Sequence, residues 1–341
     1  MADLHEASFY SKAADGAVDC FLCNHRCHIP DGKLGFCRVR RNRGGTLYSL
    51  VYGRLISNAV DPIEKKPLYH FLPGTGSFSI ATPGCNFRCR FCQNYSISQT
   101  SGERLAGLAQ VAPERVVEAA RRTKTATIAY TYTEPTIFME YALDCAALAH
   151  EQGIRNVFVT NGFESPEAVE AMTGLIDAAN VDVKAFNDAF YRRLCKARLQ
   201  PVLDTVRRMH EQGILVEVTT LLIPGQNDDE AELKALARFL VDVSPDVPWH
   251  ISRYHPDYQC HEPPPTPPEA VFRAVEIGLD AGLRFVYAGN LRAGEYENTR
   301  CPSCQATVVR RTGFLVQEIK LSAGRCGACG AELPIATADD A

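Results

Sequence analysis

Gly84-Cys85-Asn86-Phe87-Arg88-Cys89-Arg90-Phe91-Cys92-Gln93-Asn94 carries three cysteines at CxxxCxxC spacing. Thiolates are the usual ligands of iron–sulfur clusters, and a cubic 4Fe-4S cluster has four irons to satisfy. Ligation by Cys85, Cys89 and Cys92 leaves one iron without a protein ligand. An open position is what a reactive metal site needs, whereas structural sites are closed. The alternative is a zinc site whose fourth ligand lies elsewhere in the chain. The apolar run Ser77-Phe78-Ser79-Ile80-Ala81 reads as a strand, which sets the loop just beyond a strand end.

Outward from this loop, apolar runs alternate with helical patterns. Strands are expected at 77–82, 126–132, 155–160, 180–184, 214–223, 249–254 and 284–288. Helices are expected near 113–123, 136–152, 165–178, 200–212, 229–242 and 267–282. For the last of these, Thr266 reads as the N-cap, with Pro267 in the first turn and Glu269 completing a capping box. Strand–helix alternation implies a parallel sheet covered by helices, as an open sheet or a barrel. In such sheets chemistry collects at the C-terminal strand edge.

Polar residues fall at the expected strand ends. Glu134 follows Ala129-Tyr130-Thr131-Tyr132-Thr133 and reads either as an acceptor for an ammonium group or as a helix cap. Thr160-Asn161-Gly162 ends the third strand, with a glycine suited to a tight turn. Asp182 and Lys184 share one side of the fourth. Such an inward pair is costly unless it binds something, the alternative being a plain ion pair. The sixth strand carries His250, Arg253 and His255.

Taken together these segments resemble the radical S-adenosylmethionine (SAM) superfamily, in particular proteins of the pyruvate formate-lyase-activating type. More closely, Asp61-Pro62-Ile63-Glu64-Lys65-Lys66-Pro67-Leu68-Tyr69-His70-Phe71, Val159-Thr160-Asn161-Gly162, Pro248-Trp249-His250-Ile251-Ser252-Arg253 and Leu222-Ile223-Pro224-Gly225-Gln226-Asn227-Asp228 resemble the AmmeMemoRadiSam group. The resemblance covers Cys20 to Cys329 and implies an α/β fold, a partial (β/α)6 TIM-like barrel. It implies an enzyme whose 4Fe-4S cluster, on Cys85, Cys89 and Cys92, reductively cleaves SAM to a 5′-deoxyadenosyl radical. The radical would abstract a hydrogen atom from an unidentified substrate. By the same resemblance Phe91 lies near the adenine, and Glu134 binds the cofactor's amino group. Asp182 and Lys184 face its ribose and carboxylate, His250 lies near the ribose or adenine, and Thr160 and Asn161 line the pocket. A reductase or flavodoxin-type electron donor is the implied partner.

Fourteen cysteines in 341 residues point to metal rather than disulfides, because the N-terminus shows no export signal. Cys301-x2-Cys304 and Cys326-x2-Cys329, with 21 residues between, read as a zinc ribbon around a hairpin at Thr312-Gly313. Rubredoxin-like iron is the alternative. Cys20, Cys23, Cys27 and Cys37 read as a second metal site for zinc or an iron–sulfur cluster, with His25 and His28 as alternative ligands. Arg38, Arg40, Arg41 and Arg43 read as a solvated basic face, with RNA or an acidic protein the alternative. The expected domains are a cysteine-rich head at 1–75, the barrel at 76–295 and the ribbon at 296–341. A net charge of −4 gives no global pull toward nucleic acid or membrane. A cytoplasmic enzyme is expected, with nucleic acid not favoured. Head and ribbon are expected to cover the barrel mouth, which favours a small or medium substrate such as a sugar or nucleoside. A glycyl-radical activase, an RNA-modifying enzyme or a non-catalytic RNA-binding scaffold are the other readings.

Overall fold

A computed structural model describes residues 4–100 and 107–337. The outer ends of the expected first and last domains lie outside them. The expected alternation builds one eight-stranded sheet. Its strands are β1 (Ser57–Pro62), β2 (Gly76–Ala81), β3 (Thr127–Tyr130), β4 (Arg155–Thr160), β5 (Ala178–Asp182), β6 (Leu215–Leu222), β7 (Trp249–Arg253) and β8 (Val286–Gly289). They lie in chain order, and β2 to β8 are parallel. The sheet begins one strand earlier than expected, because β1 pairs antiparallel with β2. β1 and β8 are not neighbours, so this is an unclosed barrel.

The crossover helices are α1 (Pro113–Arg122), α2 (Met139–His150), α3 (Pro166–Met172), α4 (Leu199–Glu211), α5 (Glu230–Val243) and α6 (Pro268–Asp280). α3 is shorter than its pattern because the chain turns at Gly174, whose φ is +75°. The expected cap of α6 is not formed: Pro267 holds the N-cap position without a side-chain bond. Thr266 instead donates to the Leu222 carbonyl and accepts from the Tyr254 N–H. A threonine bonded to two strand ends has no hydroxyl left for a helix.

Segment 63–75 crosses the N-terminal end of the sheet as a floor. Ile63, Leu68, Phe71 and Leu72 bury against Ala129, Val157 and Ala178, small side chains that leave room for them. The carboxyl-terminal unit docks below this floor. Its strands Thr299–Arg300, Thr307–Thr312 and Leu315–Ile319 form an antiparallel sheet with the expected hairpin at Gly313. Arg311 is fully buried, donates to the Tyr69 carbonyl at 2.8 Å and lies 3.5 Å from Glu64. Ala336 N donates to the His70 carbonyl and Leu72 N to that of Ala336. This corrects the expectation that the unit covers the mouth: it seals the opposite end.

The N-terminal segment forms two small antiparallel sheets, Tyr10–Lys12, Val18–Cys20, His28–Ile29 and His5–Glu6, Thr46–Ser49, Arg40–Arg43. Arg40 is buried and donates to Glu140 of α2 at 2.7 Å. The expected basic face therefore loses its Arg40, which turns inward by strand alternation, while Arg38 and Arg43 stay exposed. Glu140→Ala leaves the Arg40 guanidinium buried and unpaired. It is expected to lower stability by about 3–5 kcal/mol, read as a shift of the urea midpoint at unchanged slope. No helix of the described residues is long and apolar enough to cross a membrane.

Candidate functional site

The CxxxCxxC loop leaves β2 at the C-terminal edge of the sheet, and its shape is fixed by packing. Gly84 has φ +107°, and a Cβ there would lie 2.7 Å from Val39 Cγ1 and 3.0 Å from Ile137 Cδ1. Only glycine satisfies both restrictions. Phe87 is buried against Phe163, and Arg88 N and Arg90 N donate to the carbonyls of Cys195 and Leu194. Phe91 packs on Phe190, which holds its backbone in place.

The three thiols are free and largely buried. Burial, then the neighbouring Glu134 carboxyl and Cys89, pushes the Cys85 thiol well up. Burial and then Cys89 raise that of Cys92. The Cys89 thiol is raised by a hydrogen bond with Cys195 and then by burial. A bound cation deprotonates such thiols outright. Their spread differs from that of the C-terminal quartet. Sγ–Sγ distances there are 3.7 Å for Cys301–Cys329 and 3.7 Å for Cys304–Cys326, and all four lie within 4.8 Å of one another. Zinc–sulfur bonds of about 2.3 Å set tetrahedral thiolates about 3.8 Å apart. Among the described residues no other set is drawn so tightly. The C-terminal set could therefore hold a metal, while the three thiols of the central loop are the donor type of an iron–sulfur cluster.

Several expected pocket residues meet around this loop. Asn161 Nδ2 donates to Asn86 Oδ1 at 2.7 Å and approaches Cys85 Sγ at 3.9 Å. Lys184 Nζ lies 2.9 Å from Asp182 Oδ2. Burial opposes its charge, but Asp182 and the Cys89 and Cys195 thiols outweigh burial together and raise the lysine pKa. Asn227, from the Leu222–Asp228 stretch, donates to the carbonyls of Lys184 and Leu221 and so ties the ends of β5 and β6 together.

Glu134 lies beside Cys85 but is bonded within the chain, and His250 sits elsewhere. Glu134 is 1 % exposed. Its Oε1 accepts from Thr136 N–H and from the Thr136 and Thr160 hydroxyls, and its Oε2 accepts from Asn161 N–H. It thus positions Thr160 and Asn161 and caps the turn at Pro135–Phe138, while Oε2, with a single bond, keeps acceptor capacity. His250 is the second residue of β7, near its N-terminal end. It bonds Glu217 at 2.6 Å and packs against Tyr69 of the floor. His255, beyond the end of β7, lies 3.1 Å from Gln93, next to Cys92. Strand direction was the signal: the histidine past the strand's last residue reaches the loop, and the one at its start cannot.

Sequence reasoning missed Glu164, which shares the Thr136 and Thr160 hydroxyls with Glu134. Burial, and for Glu134 also the Glu164 charge, raises both carboxyl pKa values above 4.5. The folded chain thus keeps protons that the unfolded chain releases, and stability falls as pH rises through the folded pKa values. Glu164→Gln removes this loss. It is expected to raise alkaline stability by about 1–3 kcal/mol, with the gain vanishing at pH 4. Paired thermal melts at pH 4 and pH 9 measure it.

Comparison with known proteins places this geometry. Residues 79–237 match the Radical SAM superfamily. An uncharacterised protein of Methanocaldococcus jannaschii is 42 % identical over 97 % of this chain and 99 % of its own length. The pyruvate formate-lyase-activating enzyme of Streptococcus mutans is 24 % identical, covering 52 % of this chain and 71 % of that protein. A crystal structure of a radical SAM methyltransferase from Sphaerobacter thermophilus shares the fold at TM-score 0.51 and 17 % identity, over 84 % of this chain and 78 % of that one. With its three-cysteine loop at the C-terminal edge of a parallel sheet, the chain belongs to the radical SAM superfamily.

Proposed function

We propose that Cys85, Cys89 and Cys92 hold a 4Fe-4S cluster whose open iron takes the methionine half of SAM. When bound, the cluster supplies the electron that splits SAM and releases a 5′-deoxyadenosyl radical, which takes a hydrogen atom from the substrate. The observation that carries this reading is the gathering of Asn161, Asp182 and Lys184 around the three thiols of the loop. Gly84 and the Phe87 anchor keep the loop in one shape. Lys184 holds a positive charge where the carboxylate of the cofactor would lie, and Asp182 offers acceptors to a ribose. His255 replaces His250 as the histidine available to the cofactor. Phe91 serves through its backbone. We propose zinc for the C-terminal quartet, whose 3.7 Å edges suit tetrahedral ligation of one metal ion.

A protein backbone is the substrate class that gains most from the geometry. The C-terminal unit lies under the floor rather than over the mouth, leaving the N-terminal segment, bonded to the cysteine loop through Arg88 and His25, beside the entry for a loop of another protein. Relatives named as activating enzymes point the same way. The electron donor remains a reductase or flavodoxin-type protein. The experiment is anaerobic reconstitution with iron and sulfide, then an assay for 5′-deoxyadenosine. Deuterium passing into it from a labelled glycyl peptide, and not from labelled sugars or nucleosides, is the expected result. Transfer from a small molecule alone rejects the protein-substrate reading.

A further inference from the structure

Cys20, Cys23, Cys27 and Cys37 converge although 16 residues lie between the first and the last. Cys20 N donates to the Cys27 carbonyl at 2.9 Å, and the turn between them closes with Arg26 N on the Cys23 carbonyl. Arg26 sits at φ +47° in that turn. Cys37 returns on the next loop, where a Cβ on Gly35 would lie 3.9 Å from its sulfur. The Cys23 thiol interacts electrostatically with all three others. The four are therefore neighbours, yet they are not drawn within the 4.8 Å that encloses the C-terminal quartet. A tetrahedral zinc would need about 3.8 Å. A cubane with an iron at each of four corners suits four wider-set thiolates.

This site abuts the catalytic loop. The Cys37 carbonyl oxygen lies 3.5 Å from where a Cβ on Gly84 would sit, one residue before Cys85. Arg88 bridges the two loops. Its Nη1 donates to the Cys85 carbonyl at 2.8 Å, and its Nη2 donates to the carbonyl of Phe36, next to Cys37. His25, between Cys23 and Cys27, contacts the Asn86 carbonyl through Nε2 at 2.7 Å. Two direct hydrogen bonds, Arg88–Phe36 and His25–Asn86, thus join one cysteine loop to the other.

We infer that Cys20, Cys23, Cys27 and Cys37 bind a second 4Fe-4S cluster, closed by its four ligands, which relays electrons to the catalytic one. The assignment rests on the proposed function of the central loop. A low-potential one-electron carrier protein reduces the head cluster by one electron. The head cluster is reoxidised as it passes that electron to the central cluster, one for each SAM molecule split. A cluster with four protein ligands has no open iron, so it binds no SAM and serves transfer alone.

The full chain with Cys85, Cys89 and Cys92 all replaced by alanine tests the head by itself. After anaerobic reconstitution it is expected to hold about four irons and four sulfides per chain. Its reduced paramagnetic resonance signal is expected to ignore added SAM. Zinc in place of iron at the head, or no head metal at all, overturns the inference. Cys37→Ser in an otherwise native chain tests the relay. Reduction of the central cluster by a flavodoxin-type donor is expected to slow at least about tenfold, while its SAM-sensitive signal after dithionite persists. An unchanged rate with the flavodoxin-type donor overturns the relay. Loss of SAM sensitivity in the native chain alongside iron retained by the triple variant would count against the central assignment only.

Discussion

Cys89→Ala is expected to reduce 5′-deoxyadenosine formation to the level of protein-free controls. Two thiolates cannot hold three corners of a cluster, and the loop has no slack to recruit a distant ligand. Its backbone is bonded at Arg88 and Arg90 to the carbonyls of Cys195 and Leu194, and Gly84 is wedged between Val39 and Ile137. Cys195 hydrogen-bonds the Cys89 thiol, so it is the substitute ligand to exclude. A Cys195→Ala variant is expected to keep the cluster and the cleavage. Product by mass spectrometry, together with iron content, decides the matter. Continued cleavage by Cys89→Ala combined with Cys195→Ala would remove the loop from the chemistry.

Stripping the metal from Cys301, Cys304, Cys326 and Cys329 is expected to have the largest effect on stability. The core of that unit is only Val308, Val309, Leu333 and Ile335 around the buried cysteines Cys301 and Cys326. A core that small does not fold without a staple, and structural zinc supplies about 10–16 kcal/mol of apparent binding energy in small metal-dependent units. The damage should not stay local. Arg311, Pro334 and Ala336 hold Tyr69, His70 and Leu72 of the barrel floor. Hydrogen exchange of Cys329→Ser is therefore expected to lose protection in 300–335 and also in 63–75. Protection kept in 63–75 would show that the floor stands without the unit.

The parallel sheet was legible because its strands are short apolar runs bounded by helical patterns, and the strands lie in chain order. β1 was not, since Ser57-Asn58-Ala59-Val60-Asp61-Pro62 is an edge strand with few apolar residues and an exposed Val60. The cysteine loop was readable from spacing alone, as was the C-terminal quartet. The roles of Glu134 and His250 were not, because residue type does not tell which way a side chain is spent. Glu134 is bonded to Thr136, Thr160 and Asn161, and that depends on Glu164 arriving from the next loop. The DPIEKKPLYHF stretch carried the resemblance without a role, and its residues make the floor: Asp61 binds Lys65 and Lys66, Glu64 meets Arg311, and His70 N binds Glu217.

The Arg311–Tyr69 bond joins positions 242 apart in the chain, and the His70–Pro334 contact joins positions 264 apart. Closing such long loops is slow and gives no return until both ends exist. During translation the sheet emerges well before its lower seal. A nascent chain therefore carries Tyr69, His70 and Leu72 without their final partners, which makes that interval the stage at which chaperones would be most needed.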